Sequence, residues 1–166
     1  MINKMSKFAL ALLPALVFIS PALLAGQGAT KTLASATEFP LTVVSPGTVT
    51  YPGGNVHVRG RVTIAQWIAT DVRLNFNATV ITNGNFDGSG NGPMSGTFES
   101  IDSGNSGRWI GVWHGEMTDN QNFQFMHTGV GHGTGAYEGL QVIYACTYTG
   151  FGPGACQAQI LETPRK

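Results

Sequence analysis

Histidine is the residue type that most often binds metals or transfers protons near neutral pH, and the chain has four of them. They are His57, His114, His127 and His132. A zinc site needs three or four ligands at definite spacing. His127 and His132 lie five residues apart with glycines between them, which matches no known ligand spacing, and no third ligand is close in the sequence. We therefore predict no metal site and expect these histidines at the surface or at the mouth of the fold.

The two cysteines, Cys146 and Cys156, lie symmetrically about residues 150–154, Gly-Phe-Gly-Pro-Gly. If that segment is a hairpin loop, the two residues oppose each other on paired strands and a disulfide forms in an oxidising compartment. Closing so short a loop would stabilise the fold by about 2–3 kcal/mol. The alternative is two small buried thiols. The spacing is not C-x-x-C, which argues against a redox-active pair.

Sequence signals for catalysis are weak. The chain has no G-x-S-x-G elbow, and its Gly131-x-Gly133-x-Gly135 run has neither the lysine nor the following helix of a phosphate loop. Glu116 and Glu138 could form a carboxylate pair for sugar hydrolysis, but both lie in or beside predicted strands, where solvated glutamates are commoner. We predict no catalytic residue and no cofactor, and we favour a protein that is not an enzyme.

Ligand binding has better support, because aromatic and polar side chains alternate along several segments. Small-ligand sites are mostly apolar with a few placed polar groups. The competing interpretation is that the aromatic side chains only fill the interior. The candidate ligand-binding residues are Arg59, Arg73, Trp113, His114, Tyr137 and Tyr144.

The segments that carry these residues show a period of two, which is typical of antiparallel strands with one dry face. No segment after residue 30 shows a convincing helical period. The fold class is therefore all-β, and about eight strands suffice for a single antiparallel β-barrel; a two-sheet β-sandwich is the alternative. The predicted strands are one or two within residues 39–51, then 56–64, 72–80, 94–101, 108–117, 120–130, 134–148 and 155–162.

The start of the chain predicts export. Lys4 and Lys7 precede an apolar run that ends in small residues, so residues 1–25 are interpreted as a signal peptide cleaved near Ala25. Residues 26–38 are interpreted as a flexible leader and residues 39–166 as the barrel domain. The product is then secreted or periplasmic, with no membrane span in the mature chain. Its net charge would be −2 without any basic patch, which argues against nucleic acid as a partner.

The most distinctive segment is residues 129–141, Gly-Val-Gly-His-Gly-Thr-Gly-Ala-Tyr-Glu-Gly-Leu-Gln, which we call the glycine corner. Glycine permits positive φ and close backbone approach, as a barrel corner requires. We therefore predict structural roles for Gly131, Gly133, Gly135 and Gly139.

Residues 111–141 resemble a bacterial branch of the allene oxide cyclase-like and dirigent-like barrel superfamily. The resemblance rests on Gly111-Val-Trp-His-Gly115, a polar turn at 119–121, His127-Thr-Gly129 and the glycine corner. It implies a barrel. Plant cyclases of this group act on an unstable epoxide and dirigent proteins steer the coupling of phenoxy radicals, both without cofactors. No residue outside the glycine corner is carried over as catalytic.

Three functions remain open on these grounds. The first is an exported barrel without catalytic activity, or one that binds a small hydrophobic or aromatic ligand inside. The second is a cofactor-free isomerase or cyclase acting on a hydrophobic substrate. The third is a structural or cell-surface interaction protein with a filled barrel. The sequence also leaves open whether the chain forms a homo-oligomer.

Overall fold

The computed structural model describes residues 30–101 and 106–162, and about three quarters of them lie in antiparallel strands. Alternation of inward and outward side chains along these segments is what makes them strands. The strands of this part of the chain are β1 (Thr30–Ser45), β2 (Thr48–Thr50), β3 (Val56–Ala69), β4 (Phe76–Phe86), β5 (Gly92–Ile101), β6 (Gly107–Asp119), β7 (Gln124–Gly135), β8 (Leu140–Thr149) and β9 (Gly154–Glu162). The predicted all-β class is confirmed.

Eight of these strands form one closed ring. From β3 to β9 each strand pairs with the next in the chain, and β1 pairs with both β9 and β3. The short β2 pairs only with β3, outside the ring. One sheet that closes on itself is a barrel, as the strand count predicts, and the two-sheet alternative is not needed. Closure leaves the eight long strands without an unpaired edge.

The first strand begins earlier than the sequence analysis expects. Residues 26–38 are interpreted there as a flexible leader, but β1 starts at Thr30 and pairs with β9 from its first residue. Side chains in this segment do alternate between the two faces. The alternation is hard to recognise in the sequence because the inward residues Ala34 and Ala36 are small while the outward Leu33 is large and exposed. Residues 1–25, the predicted signal peptide, lie outside the described residues.

Two other predicted strands have different bounds. Residues 72–74 form a short 3-10 turn, and β4 begins only at Phe76. The Asp71 carboxylate fixes this turn, since it accepts a hydrogen bond from the Arg73 backbone N–H and pairs with the Arg73 guanidinium at 2.6 Å. The predicted strand 134–148 is split at residues 136–139, which turn the chain from β7 into β8.

Glycines on the inner face of the barrel leave room for aromatic rings from other strands. In β7, residues 129, 131 and 133 point inward between exposed neighbours. A β-carbon at Gly129 would overlap the Tyr144 ring, and one at Gly131 would overlap the Phe98 ring. At Gly133 it would instead overlap the carbonyl and β-carbon of Tyr137 in the turn that follows β7.

One end of the barrel is filled. Trp109, Leu74 and Ile160 are almost completely buried there. The Trp109 indole stacks on Tyr137, with ring centroids 5.2 Å apart, and donates a hydrogen bond of 2.8 Å to the carbonyl of Arg73. A buried indole N–H with a partner carries no desolvation penalty, so this end is a conventional packed core.

A disulfide joins Cys146 and Cys156. The two residues are directly opposed on β8 and β9, with Cα atoms 4.1 Å apart, and both are buried. The prediction from their symmetric spacing is therefore confirmed.

No helix within residues 30–101 and 106–162 has the length and apolar character needed to cross a membrane.

Alanine substitutions in the glycine corner test backbone strain and steric overlap separately. Gly135 and Gly139 have φ of +62° and +85°, so alanine at Gly139, where the space is open, should lower the free energy of unfolding by about 1–2 kcal/mol. Gly135→Ala should cost more, because its β-carbon would also overlap the Ser106 carbonyl. Urea unfolding measures both. The control is exposed His132→Ala, expected within about 0.5 kcal/mol of wild type; a larger loss there would contradict a purely structural corner.

Candidate functional site

The end of the barrel opposite Trp109 opens into a cavity of about 470 Å³, which we call the cup. This volume lies within the range of about 300–1,000 Å³ that small-molecule pockets span. The wall is mostly apolar and contains one exposed cation, Arg61. The principal apolar wall residues are Val58, Val80, Phe86, Met94, Phe98 and Trp113.

An acidic and a basic side chain meet inside the barrel and line the cup. His127 Nε2 lies 2.8 Å from Glu38 Oε2, and both residues are buried. Glu38 is on β1 and His127 on β7, with β8 and β9 between them in the sheet, so the pair forms across the interior. Beyond Glu38 the remaining void is only about 20 Å³, about the volume of one water position. Glu38 and His127 therefore form the floor of the cup.

The Glu38 carboxyl is stabilised as the anion. Burial alone would raise its pKa, but the hydrogen bond and charge of His127 and hydrogen bonds from Trp67 and Tyr148 outweigh burial and lower the pKa below 4.5. An ionised carboxylate only accepts hydrogen bonds. We therefore assign the hydrogen to His127 Nε2, which donates to Glu38.

Aromatic side chains enclose this pair. The His127 imidazole stacks on Phe125 with centroids 5.1 Å apart, and the Tyr148 ring lies 6.0 Å from His127 and 5.8 Å from Phe125. Burial raises the pKa of Tyr144 and of Tyr148, and the nearby Glu38 anion raises both further. Both phenols are thus neutral and able to donate hydrogen bonds.

Two polar atoms in the cup lining lack partners. Three buried side-chain nitrogen or oxygen atoms of the described residues make no hydrogen bond, and two of them are Trp113 Nε1 and His127 Nδ1. An unsatisfied buried polar atom costs about 1–3 kcal/mol. Natural cores rarely contain such atoms, and each one found requires a reason. Here both belong to rings that line a cavity.

The mouth of the cup is built from two turns that contact each other. Phe123, between β6 and β7, has φ of +52° although it is not glycine. Its carbonyl accepts a hydrogen bond of 3.1 Å from the Gly150 N–H, and its ring stacks on the exposed Phe151. Both contacts hold the β6–β7 turn against the β8–β9 turn. Backbone strain of this kind persists only where the surroundings impose it.

The six predicted ligand-binding residues lie in three separate places. Trp113 and Tyr144 are inside the barrel, where Trp113 lines the cup and Tyr144 lines the small void beyond its floor. Arg59 and His114 lie together in an external groove. Arg73 and Tyr137 lie beside another depression at the filled end. Of the six predicted residues, Trp113 alone lines the cup.

Sequence reasoning missed the floor of the cup. The sequence analysis includes Glu38 in the leader and expects His127 at the surface or at the mouth of the fold, whereas both side chains are buried inside the barrel. One signal was available for His127, because it follows Phe125 at the inward spacing of two residues. For Glu38 the sequence gives no signal, since a glutamate in a polar segment is ordinarily exposed.

One group of possible metal ligands exists among the described residues. The Glu38 carboxylate and the sulfurs of Cys146 and Cys156 lie within 4.8 Å of one another. Both sulfurs are used in the disulfide. Thiolate is the form of cysteine that binds metals, so this group offers only a carboxylate.

Comparison with known proteins gave no match: no family model, no curated protein and no solved structure is similar to this chain. The allene oxide cyclase-like resemblance of residues 111–141 therefore stays a prediction from the motif.

The pKa of Glu38 predicts an acid-dependent stability. Because this pKa is lower in the folded state than its ordinary 4.5, the stabilisation is fully present above about pH 4.5 and is lost as pH falls through the folded-state pKa. Urea unfolding between about pH 7 and pH 3 should show a steeper acid loss for wild type than for Glu38→Gln. Asp71 also has a lowered pKa, so the difference between the two proteins is the informative quantity. Parallel curves for the two proteins would contradict an ionised Glu38.

Proposed function

We propose that this protein binds a small apolar or aromatic molecule in the cup. The observation that carries the proposal is an open, largely apolar cavity of about 470 Å³ with a buried Glu38–His127 pair at its floor. A barrel used only as a scaffold gains stability by filling its interior, as the Trp109 end does. Leaving the other end open gives up that packing, and placing a carboxylate there adds a desolvation cost.

The proposed setting is outside the cytoplasm. The Cys146–Cys156 disulfide is compatible with an extracellular or periplasmic protein, and the predicted signal peptide supports the same location. The proposal agrees with the resemblance to allene oxide cyclase-like barrels, whose activities take place without cofactors. It carries over no activity from them.

A second candidate is a cofactor-free isomerase, which the Glu38–His127 pair favours. A carboxylate that lines a largely apolar cavity can accept a proton from a carbon of the substrate and return it to another position. Incubating a bound ligand with the protein in D₂O should then place deuterium on carbon, detected by mass spectrometry. Loss of the label with Glu38→Gln would support this candidate. Absence of the label with wild type would contradict it and leave ligand binding as the proposed function.

Binding is tested with the neutral fluorescent probe N-phenyl-1-naphthylamine, whose emission rises in apolar surroundings. Thr82 is half-buried in the cup wall on β4, and Thr82→Phe should weaken binding by at least about tenfold because the added ring occupies the cavity. Thr97 lies on the neighbouring β5 and is exposed on the outer face. Thr97→Phe adds the same ring outside and should bind like wild type.

Two outcomes would contradict the proposal. The first is the absence of a saturable fluorescence rise with wild type, and the second is binding of the probe by both variants as tightly as by wild type. The second result would place the probe outside the cup.

A further inference from the structure

The residues at the floor of the cup restrict which ligand groups can bind there. An inference about the ligand rests on the proposed function, which is ligand binding in the cup. Glu38 lines the cavity, and its side chain keeps 10% of its surface exposed. The carboxylate can therefore meet a ligand that reaches the floor. It offers about four lone-pair positions, and His127 Nε2 uses one of them at 2.8 Å. The side chains of Trp67 and Tyr148 also lie beside the carboxyl.

Positive charge is sparse around the cup. Of the described residues that line it, Arg61 is the one lysine or arginine, and it is exposed at the mouth. His127 already donates to Glu38. A ligand carboxylate at the floor would thus face another carboxylate in an environment of low dielectric, where like charges repel most strongly. The floor instead favours a group that donates a hydrogen bond.

The walls restrict the rest of the molecule. Phe98, Trp113, Phe125 and Tyr148 all line the cup and surround the path to the floor. Such walls favour apolar or aromatic skeletons, and their ring faces also attract a cation. We propose that the cup binds an apolar molecule whose inner end carries a hydrogen-bond donor, an ammonium or a hydroxyl group, which Glu38 accepts.

The test compares four compounds with one skeleton by isothermal titration calorimetry. They are 2-naphthylmethylamine, 2-naphthylmethanol, 2-ethylnaphthalene and 2-naphthoic acid. The amine or the alcohol should bind at least about tenfold more tightly than the hydrocarbon, because each can donate a hydrogen bond to the buried, charged Glu38 carboxylate and the hydrocarbon cannot. The acid should bind most weakly. A tighter amine than alcohol indicates charge pairing, and equal affinities indicate hydrogen bonding alone; both support the proposal.

Glu38→Gln removes the charge with little change of shape. It should reduce the affinity for the amine by about tenfold and leave that for the hydrocarbon unchanged. The matched control is Glu116→Gln, which removes an exposed carboxylate from β6 on the outside of the barrel. It should leave all four affinities unchanged. Should Glu38→Gln not fold, the wild-type series alone decides.

The outcomes separate this inference from the proposed function. If the acid binds as tightly as the amine and the alcohol, or the hydrocarbon equals both, the donor requirement is wrong while a ligand cup remains. If none of the four compounds binds and N-phenyl-1-naphthylamine also fails, the proposed function is itself overturned.

Discussion

The rest of the structure depends on the pairing of β1 with two partners. This strand hydrogen-bonds to β9 through residues 30–38 and to β3 from residue 36 onward, and it thereby closes the ring. Without it, β3 and β9 would each present an unpaired edge. The same strand carries Glu38, whose neighbours in the sheet are Trp67 on β3 and Gly154 on β9. One strand therefore both closes the barrel and places the carboxylate inside it.

Closure creates a packing problem that glycine and aromatic residues solve together. The interior of an eight-stranded barrel is narrow, and side chains from all strands point into it. Inward glycines on β6 and β7 remove side-chain volume, and rings from other strands use the space. At the filled end aromatic side chains occupy this space, and the Trp109 indole stacks on the Tyr137 ring. At the other end aromatic side chains line the wall and leave the cup unfilled, so the two ends of one barrel are packed differently.

The cup combines features that oppose stability. A buried carboxylate, two polar atoms without partners and an unfilled volume all cost free energy. The disulfide lies beside this region, since Cys146 is paired in register with His127. It holds β8 and β9 together where the interior is least well packed. The concentration of strain and unsatisfied groups in one cavity supports the proposal of a ligand site there.

The sequence by itself determined the all-β class through its local period, and the symmetric spacing of the cysteines predicted the disulfide. It favoured a barrel of about eight strands over a two-sheet sandwich, and the pairing of β1 with both β9 and β3 decided between them. The sequence also singled out Gly135 and Gly139, whose positive φ is a local property of a turn. Only the tertiary structure decided that Glu38 meets His127, because these residues are 89 positions apart and join across the interior. It also divided the six predicted ligand residues among three places. Alternation assigns a residue to a face, but the end of the barrel it occupies depends on strand register and tilt, which no local pattern encodes.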